Sequence, residues 1–364
     1  MELNTQQKLA IETFQPRVLV ASAAGSGKTT VLLERVKFLL SQKVEPTSIC
    51  AITFTNMAAE ELKTRIGTQG EGVFFGTIHG LANQILRRNH IDTSKLLEEE
   101  NFDELFKLIH KKKIYIPHYS HLLVDEFQDI SDKEYSFFKD LKPDNFFYCG
   151  DAQQAIFSFR GGNKDIFESL TRDSRTTVYK LTNNYRSTQE IIKFGEDFLN
   201  NCREPLYRIH NITEKKGSMP VVLLANKNKT SYDILLDLID TEIKGDYKNW
   251  FILCRTNAEV DLVMWSLNKK GIPNVTFKKS LIDLSKLKEI TEENSIKVLT
   301  IHSAKGLENE NVIVYGARNW SDEELRLNYV AATRAKNKLY WILEQPKKKK
   351  SKSFHSIKTL SLNF

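Results

Sequence analysis

The stretch Ala21-Ser-Ala-Ala-Gly-Ser-Gly-Lys-Thr-Thr30 decides how this chain of 364 residues folds. It follows the apolar run Val18–Ala21 and precedes the helical pattern Val31–Leu40, which predicts a strand, a glycine-rich turn and a helix. Gly25 and Gly27 allow several backbone N–H groups to face one anion, and the start of the helix adds its partial positive charge. The stretch therefore predicts a phosphate-binding loop.

The polar residues of this loop suit nucleotide chemistry. Lys28 can reach the outer phosphates, and Thr29 offers a hydroxyl to Mg²⁺. A chance glycine turn before a helix is the competing interpretation, and a second motif further along the chain counts against it. The residues expected to contact the nucleotide here are Ala24, Gly25, Ser26, Gly27, Lys28, Thr29 and Thr30.

The bulk composition restricts the class of protein. With 364 residues and a hydrophobic fraction of 41%, the chain is long enough for two domains with ordinary cores. A net charge of +7 is compatible with a nucleic-acid partner but does not require one. The 4 cysteines include no Cys-x-x-Cys pair, so neither a zinc site nor a disulfide framework is indicated. No apolar run approaches bilayer length and Met1–Asn4 does not begin a signal peptide, so a cytoplasmic location is expected.

Apolar runs alternate with longer amphipathic segments along most of the chain. This alternation predicts parallel sheets with crossover helices, such as Asn56–Ile66, Ile78–Arg88 and Ala258–Lys270. The strand candidates form two groups that separate near Leu181–Ser187, so two α/β lobes are expected. The predicted strands are Arg17–Val20, Ile49–Thr53, Val73–Gly76, His121–Val124, Phe146–Cys149, Thr177–Leu181, Val221–Leu224, Trp250–Cys254, Ile296–Thr300, Val312–Tyr315 and Lys338–Leu343.

A second chemical motif, Leu122-Leu-Val-Asp-Glu-Phe-Gln-Asp129, places two adjacent carboxylates after an apolar strand. Asp125 can hold Mg²⁺, directly or through water, opposite Thr29. Glu126 can polarise an attacking water molecule. A merely solvated strand end is the competing interpretation, and the phosphate loop upstream disfavours it. The two motifs together predict nucleotide hydrolysis.

These motifs and their order resemble those of the superfamily 1 helicases of the UvrD/Rep/PcrA type, from Leu3 to about Leu343. The resemblance implies an α/β fold of two RecA-like P-loop lobes with parallel sheets and an ATP cleft between them. It places lobe 1 at residues 1–180, with a small helical insert at about 88–117, lobe 2 at 181–345 and a basic tail at 346–364. It also implies ATP and Mg²⁺ as cofactors and single-stranded DNA as a partner, with translocation from 3′ to 5′.

The resemblance assigns further residues to the nucleotide. Gln7, in Leu3-Asn-Thr-Gln-Gln-Lys-Leu9, matches the family's adenine-reading glutamine, whose amide can both donate and accept a hydrogen bond. Gln154, in Cys149–Phe157, matches a glutamine that senses the γ-phosphate. Tyr185 matches a ring that stacks on adenine. The catalytic set implied is Lys28, Asp125, Glu126, Gln154, Arg186 and Arg334, with the two arginines reaching the phosphate from lobe 2, and Gly306 and Glu308 are expected near the nucleotide.

A second set of residues is expected to contact DNA. Phe54 matches an aromatic that faces a base, although a core position is the competing interpretation. Phe159 stands where the family usually has a tryptophan, and it keeps a smaller π-face for stacking. The full set implied by the resemblance is Phe54, Thr55, Asn56, Thr77, His79, Phe159, Arg160, Thr300, His302 and Ser303.

The chain departs from the family in its accessory parts. Only a short stretch separates His79 from Leu122, where relatives insert a helical subdomain, and only Gly271–Asn294 stands in place of the large insertion of lobe 2. Pro346 and a lysine run replace the strand-splitting hairpin. Thr30 stands where an arginine often follows the Lys-Thr pair. The motor residues are therefore present while the unwinding accessories are not.

Two functions remain open from the sequence. The first is an ATP-driven 3′–5′ translocase or helicase on single-stranded DNA. The second is a nucleotide-switched subunit that regulates or assists a partner nuclease with little unwinding of its own. A P-loop kinase or GTPase is disfavoured by Asp125–Asp129 and by the two arginines of lobe 2. The biological setting, whether DNA repair, phage replication or antiphage defence, is not determined.

Overall fold

The computed structural model describes residues 2–111, 114–204, 206–276, 293–318 and 321–343. The chain divides into two compact units. The first consists of Met1–Asn183 with Tyr207–His210, and the second of Asn184–Leu206 with Asn211–Phe364. The basic tail 346–364 and most of the segment 271–294 lie outside the described residues. Each unit is built on its own six-stranded parallel sheet, so the α/β fold class predicted from the sequence is confirmed.

The sheet of the first unit is parallel throughout, and its strands lie in the order β3-β2-β4-β5-β1-β6. Helices cover both faces of such a sheet, which is why its central strands read as continuous apolar runs. Ile49–Thr53 and the end of β1 are buried along their whole length. The strands are β1 Arg17–Ser22, β2 Ile49–Thr53, β3 Phe74–Thr77, β4 His121–Val124, β5 Asn145–Gly150 and β6 Thr177–Leu181.

Several helices of the first unit begin at residues whose side chains cap them. The Ser131 hydroxyl accepts the N–H of Glu134 while the Glu134 carboxylate accepts the N–H of Ser131, which is a capping box. Asn4 and Gln7 form the same arrangement at the first helix. The helices are α1 Thr5–Glu12, α2 Lys28–Ser41, α3 Asn56–Ile66, α4 Ile78–Arg88, α5 Ser94–Glu98, α6 Phe102–Lys111, α7 Asp132–Asp140 and α8 Lys164–Arg172.

The second unit repeats the plan with strand order β7-β12-β11-β8-β10-β9, again parallel in every pairing. Its strands are β7 Val221–Leu224, β8 Trp250–Cys254, β9 Asn274–Val275, β10 Ile296–Thr300, β11 Asn309–Tyr315 and β12 Ala335–Leu343. Its helices are α9 Gln189–Asn200, α10 Ser231–Leu238, α11 Asn257–Lys269 and α12 Asp322–Ala332. Along the described residues, no helix is both long and apolar enough to cross a bilayer.

The predicted strands are confirmed, and the differences concern their ends. β11 begins at Asn309 rather than Val312, and β12 begins at Ala335 rather than Lys338. The added residues include Asn309, Glu310, Lys336 and Asn337, whose polar side chains hide the strand pattern, while Asn309 and Ala335 already pair through the backbone. β9 was not predicted because a two-residue strand leaves no alternating pattern to detect.

Arg35 of α2 hydrogen-bonds to the end of α1 within the first unit. Its guanidinium donates through Nη1 to the carbonyl oxygens of Ile11, at 2.5 Å, and Thr13, at 2.6 Å. The same group lies 5.4 Å from the ring centroids of Phe38 and Phe147. Burial lowers the pKa of Arg35 to about 10, which leaves it charged at neutral pH. The buried cation therefore supplies hydrogen bonds that the carbonyl oxygens at the end of α1 lack.

Replacing Arg35 with methionine should destabilise the first unit by about 2–3 kcal/mol, because two carbonyl oxygens lose a charged donor. All 4 tryptophans of the sequence follow residue 249, so their fluorescence reports the second unit alone. We expect the urea transition followed by far-ultraviolet circular dichroism to begin earlier, while the fluorescence transition stays in place.

Lys37→Met is the matched control on the same helix. Lys37 pairs with Glu34 at 2.8 Å, and both side chains are about one-third exposed, so its loss should cost less than about 0.5 kcal/mol. Equal effects of the two substitutions would show that Arg35 does not anchor α1.

Candidate functional site

The phosphate loop joins β1 to α2 in the first unit. Gly25 and Gly27 have φ angles of 69° and 83°, which side chains rarely adopt, so glycine is required at both turns. Gly27 is the N-cap of α2 and Lys28 is its first residue. The free N–H groups of the first helical turn therefore face the loop, as the sequence predicted. The hydroxyl of Ser22, at the end of β1, donates to the carbonyl oxygen of Gly150 at 3.0 Å.

Gln7 lies in α1 and contacts this loop directly. Its amide nitrogen donates to the carbonyl oxygen of Ser26 at 3.0 Å, and its amide oxygen accepts the backbone N–H of Asn4 at 3.0 Å. The side chain is fully buried. In this structure Gln7 therefore braces the phosphate loop, and its predicted contact with adenine stays a prediction. Thr30, one residue beyond Thr29, accepts a hydrogen bond from Arg65 at 3.3 Å.

The two predicted metal ligands are already in contact. The Thr29 hydroxyl donates to Oδ2 of Asp125 at 3.1 Å, and the Glu126 N–H donates to Oδ1 of the same carboxylate at 2.9 Å. Burial, followed by the nearby Glu126 carboxylate, raises the pKa of Asp125 to about 6, although Lys28 opposes the shift. A hydroxyl and a buried carboxylate are hard oxygen donors, so this pair fits Mg²⁺.

Glu126 is held in an uncommon backbone conformation by its neighbours. Its φ of 52° is left-handed, which costs energy for a residue other than glycine. The Gln128 amide nitrogen donates to the Glu126 carboxylate at 2.5 Å, and the Gln128 amide oxygen accepts the N–H of Asp151 at 2.9 Å. A Cβ added at Gly150 would lie 2.7 Å from that oxygen, so the glycine makes room for it. Gln128 thus orients the predicted catalytic base.

Gln154 is tied to the same group of residues. Its amide nitrogen donates to the Asp151 carboxylate at 2.7 Å. Burial raises the pKa of Asp151, and Lys28 opposes that shift. The structure therefore brings Lys28, Asp125, Glu126 and Gln154 together at the carboxyl edge of the first sheet. Their chemical roles stay predictions.

Three phenylalanines and one arginine form an aromatic cluster next to Gln154. Phe54 stacks on Phe157 with 4.9 Å between ring centroids, and Phe157 lies 5.9 Å from Phe159. Arg160 lies 5.6 Å from the Phe157 ring and 5.9 Å from the Phe159 ring. Phe159 is 64% exposed, so it can offer its face to a base.

The remaining predicted DNA residues of the first unit have local structural roles. Thr55 caps α3 by accepting the N–H of Ala58 at 3.2 Å, and Thr77 caps α4 by accepting the N–H of Gly80 at 3.1 Å. Asn56 is the exposed first residue of α3.

His79 packs against α6. Its ring stacks on Phe102 with 4.5 Å between centroids, and Nε2 lies 3.8 Å from Glu134. Burial lowers the pKa of His79, while Glu134 and Asp103 oppose the shift. His79 therefore serves packing in this unit, and its contact with DNA stays a prediction.

In the second unit, Arg186 and Glu308 form an ion pair through Nε of the arginine. Nη1 of Arg186 also donates to the carbonyl oxygen of Thr333 at 3.2 Å. Tyr185 is 43% exposed beside it, and Gly306 has a left-handed φ of 84° in the loop before β11. The structure thus gathers the nucleotide residues predicted for this unit near the amino ends of β11 and β12.

Arg334 uses its guanidinium within the second unit. Nε donates to the carbonyl oxygen of Val330 at 3.0 Å, and Nη1 donates to that of Leu307 at 3.1 Å. The side chain is buried. These hydrogen bonds hold the guanidinium against the backbone of its own unit.

The predicted DNA residues of the second unit lie at the other edge of its sheet. Thr300 ends β10, and its hydroxyl donates to that of Ser303 at 2.9 Å. His302 lies between them and is half-buried. Because all strands are parallel, the end of β10 and the start of β11 lie at opposite edges of the sheet. The predicted nucleotide residues and the predicted DNA residues are therefore separated within this unit, and the eight-residue loop 301–308 joins the two strands that carry them.

Comparison with known families gives the class of this protein. Residues 3–117 and 101–175 match the UvrD/REP helicase N-terminal domain, and residues 179–282 and 277–345 match the UvrD-like helicase C-terminal domain. These matches cover nearly the whole chain. The chain therefore belongs to the UvrD/Rep helicase family, whose members are ATP-dependent DNA helicases, and the expected resemblance and enzyme class are confirmed.

Individual relatives differ in length. A probable DNA helicase of Mycoplasma pneumoniae is 26% identical, with 93% of this chain and 83% of the relative covered. The Gabija protein GajB of Bacillus cereus is 24% identical, with 91% and 93% covered. DNA helicase II of Escherichia coli is 26% identical, but only 55% of this chain and 40% of the relative are covered. The first two relatives are therefore matched over most of their length, whereas less than half of the third is matched.

Two residues of the site were not identified from the sequence. Gln128 lies inside the acidic motif, yet its role depends on a hydrogen bond that its amide oxygen accepts from the backbone N–H of Asp151, which follows a different strand. Phe157 lies inside the apolar stretch after Gln154 and is indistinguishable there from a core residue. Only its stacking on Phe54 reveals its place in the aromatic cluster.

Gln128→Met, which keeps the size of the side chain but removes the amide, should lower kcat for ATP by about 10–100-fold. The reason is that a misplaced base costs up to two orders of magnitude in rate. Nucleotide affinity, measured with a fluorescent ADP, should stay within about twofold, because the phosphate loop is untouched.

Asn145→Ala is the control, since Asn145 starts β5 at the other edge of the sheet and its amide donates to Ser120 at 3.2 Å. Turnover of this variant should equal that of the wild type. A Gln128→Met enzyme with unchanged kcat would exclude the positioning role.

Asp125→Asn should abolish ATP turnover and yet raise the melting temperature by several degrees near neutral pH. The pKa of Asp125 is raised from 3.8 to about 6 in the folded state, so ionisation of this buried group costs stability. The cost develops as pH rises through the interval between these two values. The gain should therefore shrink below pH 6 and vanish near pH 4, as thermal melts across that range would show. A gain that persists unchanged at low pH would contradict this origin.

Proposed function

We propose that this chain is an ATP-dependent translocase on single-stranded DNA that moves from 3′ to 5′. The observation that supports this most directly is the continuity of the segment 150–162. Gln154 in this segment hydrogen-bonds to Asp151 beside the predicted catalytic acids, and the exposed ring of Phe159 follows in the same segment. A movement of Gln154 on γ-phosphate loss would therefore be transmitted over a few residues to a base-stacking surface.

The residues of the first unit have distinct roles in this proposal. Lys28 and the N–H groups at the start of α2 hold the phosphates of ATP. Thr29 and Asp125 would hold Mg²⁺, which supplies charge neutralisation at the phosphate oxygens when it is bound. Glu126, oriented by Gln128, accepts the proton of the attacking water. Gln154 hydrogen-bonds to the γ-phosphate or to that water and reports its departure.

We assign the two arginines of the second unit to the charge that develops on the transferred phosphoryl group. An arginine in this role is worth about 10³–10⁵ in rate. Arg186 would leave the Glu308 carboxylate, and Arg334 would give up a carbonyl contact, when they bind phosphate. Hydrolysis would then depend on both units, which is the basis for coupling it to movement.

On DNA, the aromatic cluster would supply stacking rather than sequence recognition. Each base stacked on an aromatic side chain contributes about 1–3 kcal/mol, whatever the base. Phe159 offers the most accessible face. Its ring packs against Phe157, which in turn stacks on Phe54. Arg160 adds a positive charge next to the stack, which favours the phosphate backbone.

A second candidate function is a nucleotide-switched subunit that assists a partner such as a nuclease and translocates little. The extent of the match favours it, because 93% of the Gabija protein GajB is covered whereas only 40% of DNA helicase II is. If the chain is such a switch, its rate of ATP turnover would depend on whether the partner is bound and not on the length of the DNA.

Displacement of streptavidin separates the two functions. The chain and ATP are added to single-stranded DNA biotinylated at either the 5′ or the 3′ end, with free biotin as a trap. A 3′–5′ translocase displaces streptavidin from the 5′ end, and its ATPase rate is stimulated by DNA. Stimulated ATPase with no displacement from either end would favour the switch, and preference for GTP would exclude both.

Phe159→Ala tests the aromatic cluster in the same assay. We expect it to weaken DNA binding by about 1–3 kcal/mol, which is about 5–150-fold, and to slow displacement. The ATPase rate without DNA should not change, because the phosphate loop and the acids are intact. Phe14→Ala is the control, since Phe14 is 78% exposed at the end of α1 and distant in sequence from every DNA motif. Equal displacement by the two variants would remove Phe159 from the DNA path.

A further inference from the structure

The amino ends of β11 and β12 carry a compact group of charges. The two strands begin side by side, with Asn309 paired to Ala335, so the residues flanking this pair are neighbours. Glu308 precedes one strand, and Lys336 is the second residue of the other. Nζ of Lys336 lies 3.1 Å from Oε1 of Glu308, while Arg186 holds Oε2 of the same carboxylate. One carboxylate thus joins two cations, one on each oxygen.

The two cations differ in their exposure and in their other partners. Arg186 is 16% exposed in its side chain and is also bound to the carbonyl oxygen of Thr333. Lys336 is 30% exposed and also lies 3.6 Å from Glu310. Glu310 accepts a hydrogen bond from the Asn337 amide as well, so its charge is shared. Lys336 therefore has Glu308 as its nearer carboxylate partner.

We infer that Lys336 is a positioning residue for Arg186: it neutralises Glu308 so that Arg186 can leave that carboxylate for the phosphate of ATP. The inference rests on the proposed function, which assigns Arg186 to the phosphate. The edge of the Arg186 guanidinium that pairs with Glu308 cannot bind phosphate at full strength at the same time. The carboxylate that it leaves would then be partly buried and unpaired, which is costly unless another cation stays with it.

The backbone around these side chains is fixed independently of Lys336. Nζ of Lys215 donates to the carbonyl oxygens of Arg186 and Lys336, at 3.2 Å in both cases. This lysine ties the segment that carries Arg186 to the start of β12. Removing the Lys336 side chain therefore leaves the two segments joined, and the main consequence is one charge fewer on Glu308.

Without Lys336, Glu308 should hold Arg186 more tightly. For Lys336→Ala we expect kcat for ATP, with DNA saturating, to fall by about tenfold, which corresponds to ~1.4 kcal/mol. The fall arises because the ion pair between Arg186 and Glu308 is stronger when one cation fewer neutralises the partly buried carboxylate. Affinity for ADP, which has no γ-phosphate, should change by less than about twofold. Lys336→Arg should retain most of the turnover.

Lys338→Ala is the matched control, because Lys338 lies two residues further along β12 and pairs with Glu242 at 3.3 Å. It should match the wild type in turnover. The decisive comparison uses Glu308→Gln: in that background the carboxylate charge is gone, so adding Lys336→Ala should lower kcat no further. Melting temperatures of all variants, read from tryptophan fluorescence, establish that the second unit remains folded.

Three results would overturn the inference while leaving the proposed function intact. They are a Lys336→Ala variant with the turnover of Lys338→Ala, an equal loss of kcat in the Glu308→Gln background, and a loss of ADP affinity as large as the loss of turnover. Wild-type protein without DNA-stimulated ATPase would instead count against the proposed function itself.

Discussion

The parallel register of the first sheet is the constraint on which the candidate site depends. β1 pairs with β5, and β5 pairs with β4, so their carboxyl ends meet at one edge. The phosphate loop, Asp125 and Asp151 follow these three ends directly. Burial at this edge places the Thr29 hydroxyl 3.1 Å from a carboxylate whose pKa is raised to about 6. Hydrogen bonding and desolvation thus act on the same few side chains, as expected of a catalytic site.

Gln128 and Phe157 connect this edge to the rest of the first unit. Gln128 joins the predicted base to the backbone of Asp151, and Phe157 joins the segment after Gln154 to Phe54. Each link is a single contact between segments that are distant in sequence. The proposed coupling between hydrolysis and DNA binding therefore rests on short hydrogen bonds and ring stacking, and it requires no long pathway.

The second unit has the same parallel-sheet architecture, but its predicted site residues lie at two opposite edges of the sheet. Its predicted nucleotide residues lie at the amino ends of β11 and β12, whereas its predicted DNA residues follow the carboxyl end of β10. Arg186 and Arg334 are both engaged with partners of their own unit, a carboxylate and backbone carbonyl oxygens. In the proposed mechanism Arg186 exchanges Glu308 for phosphate, so the charge on Glu308 affects how readily Arg186 can act.

The sequence by itself determined the fold class, the positions of the longer strands, the family and the phosphate loop with its acids. These features arise from local patterns: apolar runs that mark buried strands, glycines that allow left-handed turns, and carboxylates directly after a strand. Only the tertiary structure decided that Gln7 braces the Ser26 carbonyl, that Gln128 orients Glu126, and that Lys336 shares Glu308 with Arg186. Those contacts depend on the strand order and on side-chain geometry, which local sequence patterns do not encode.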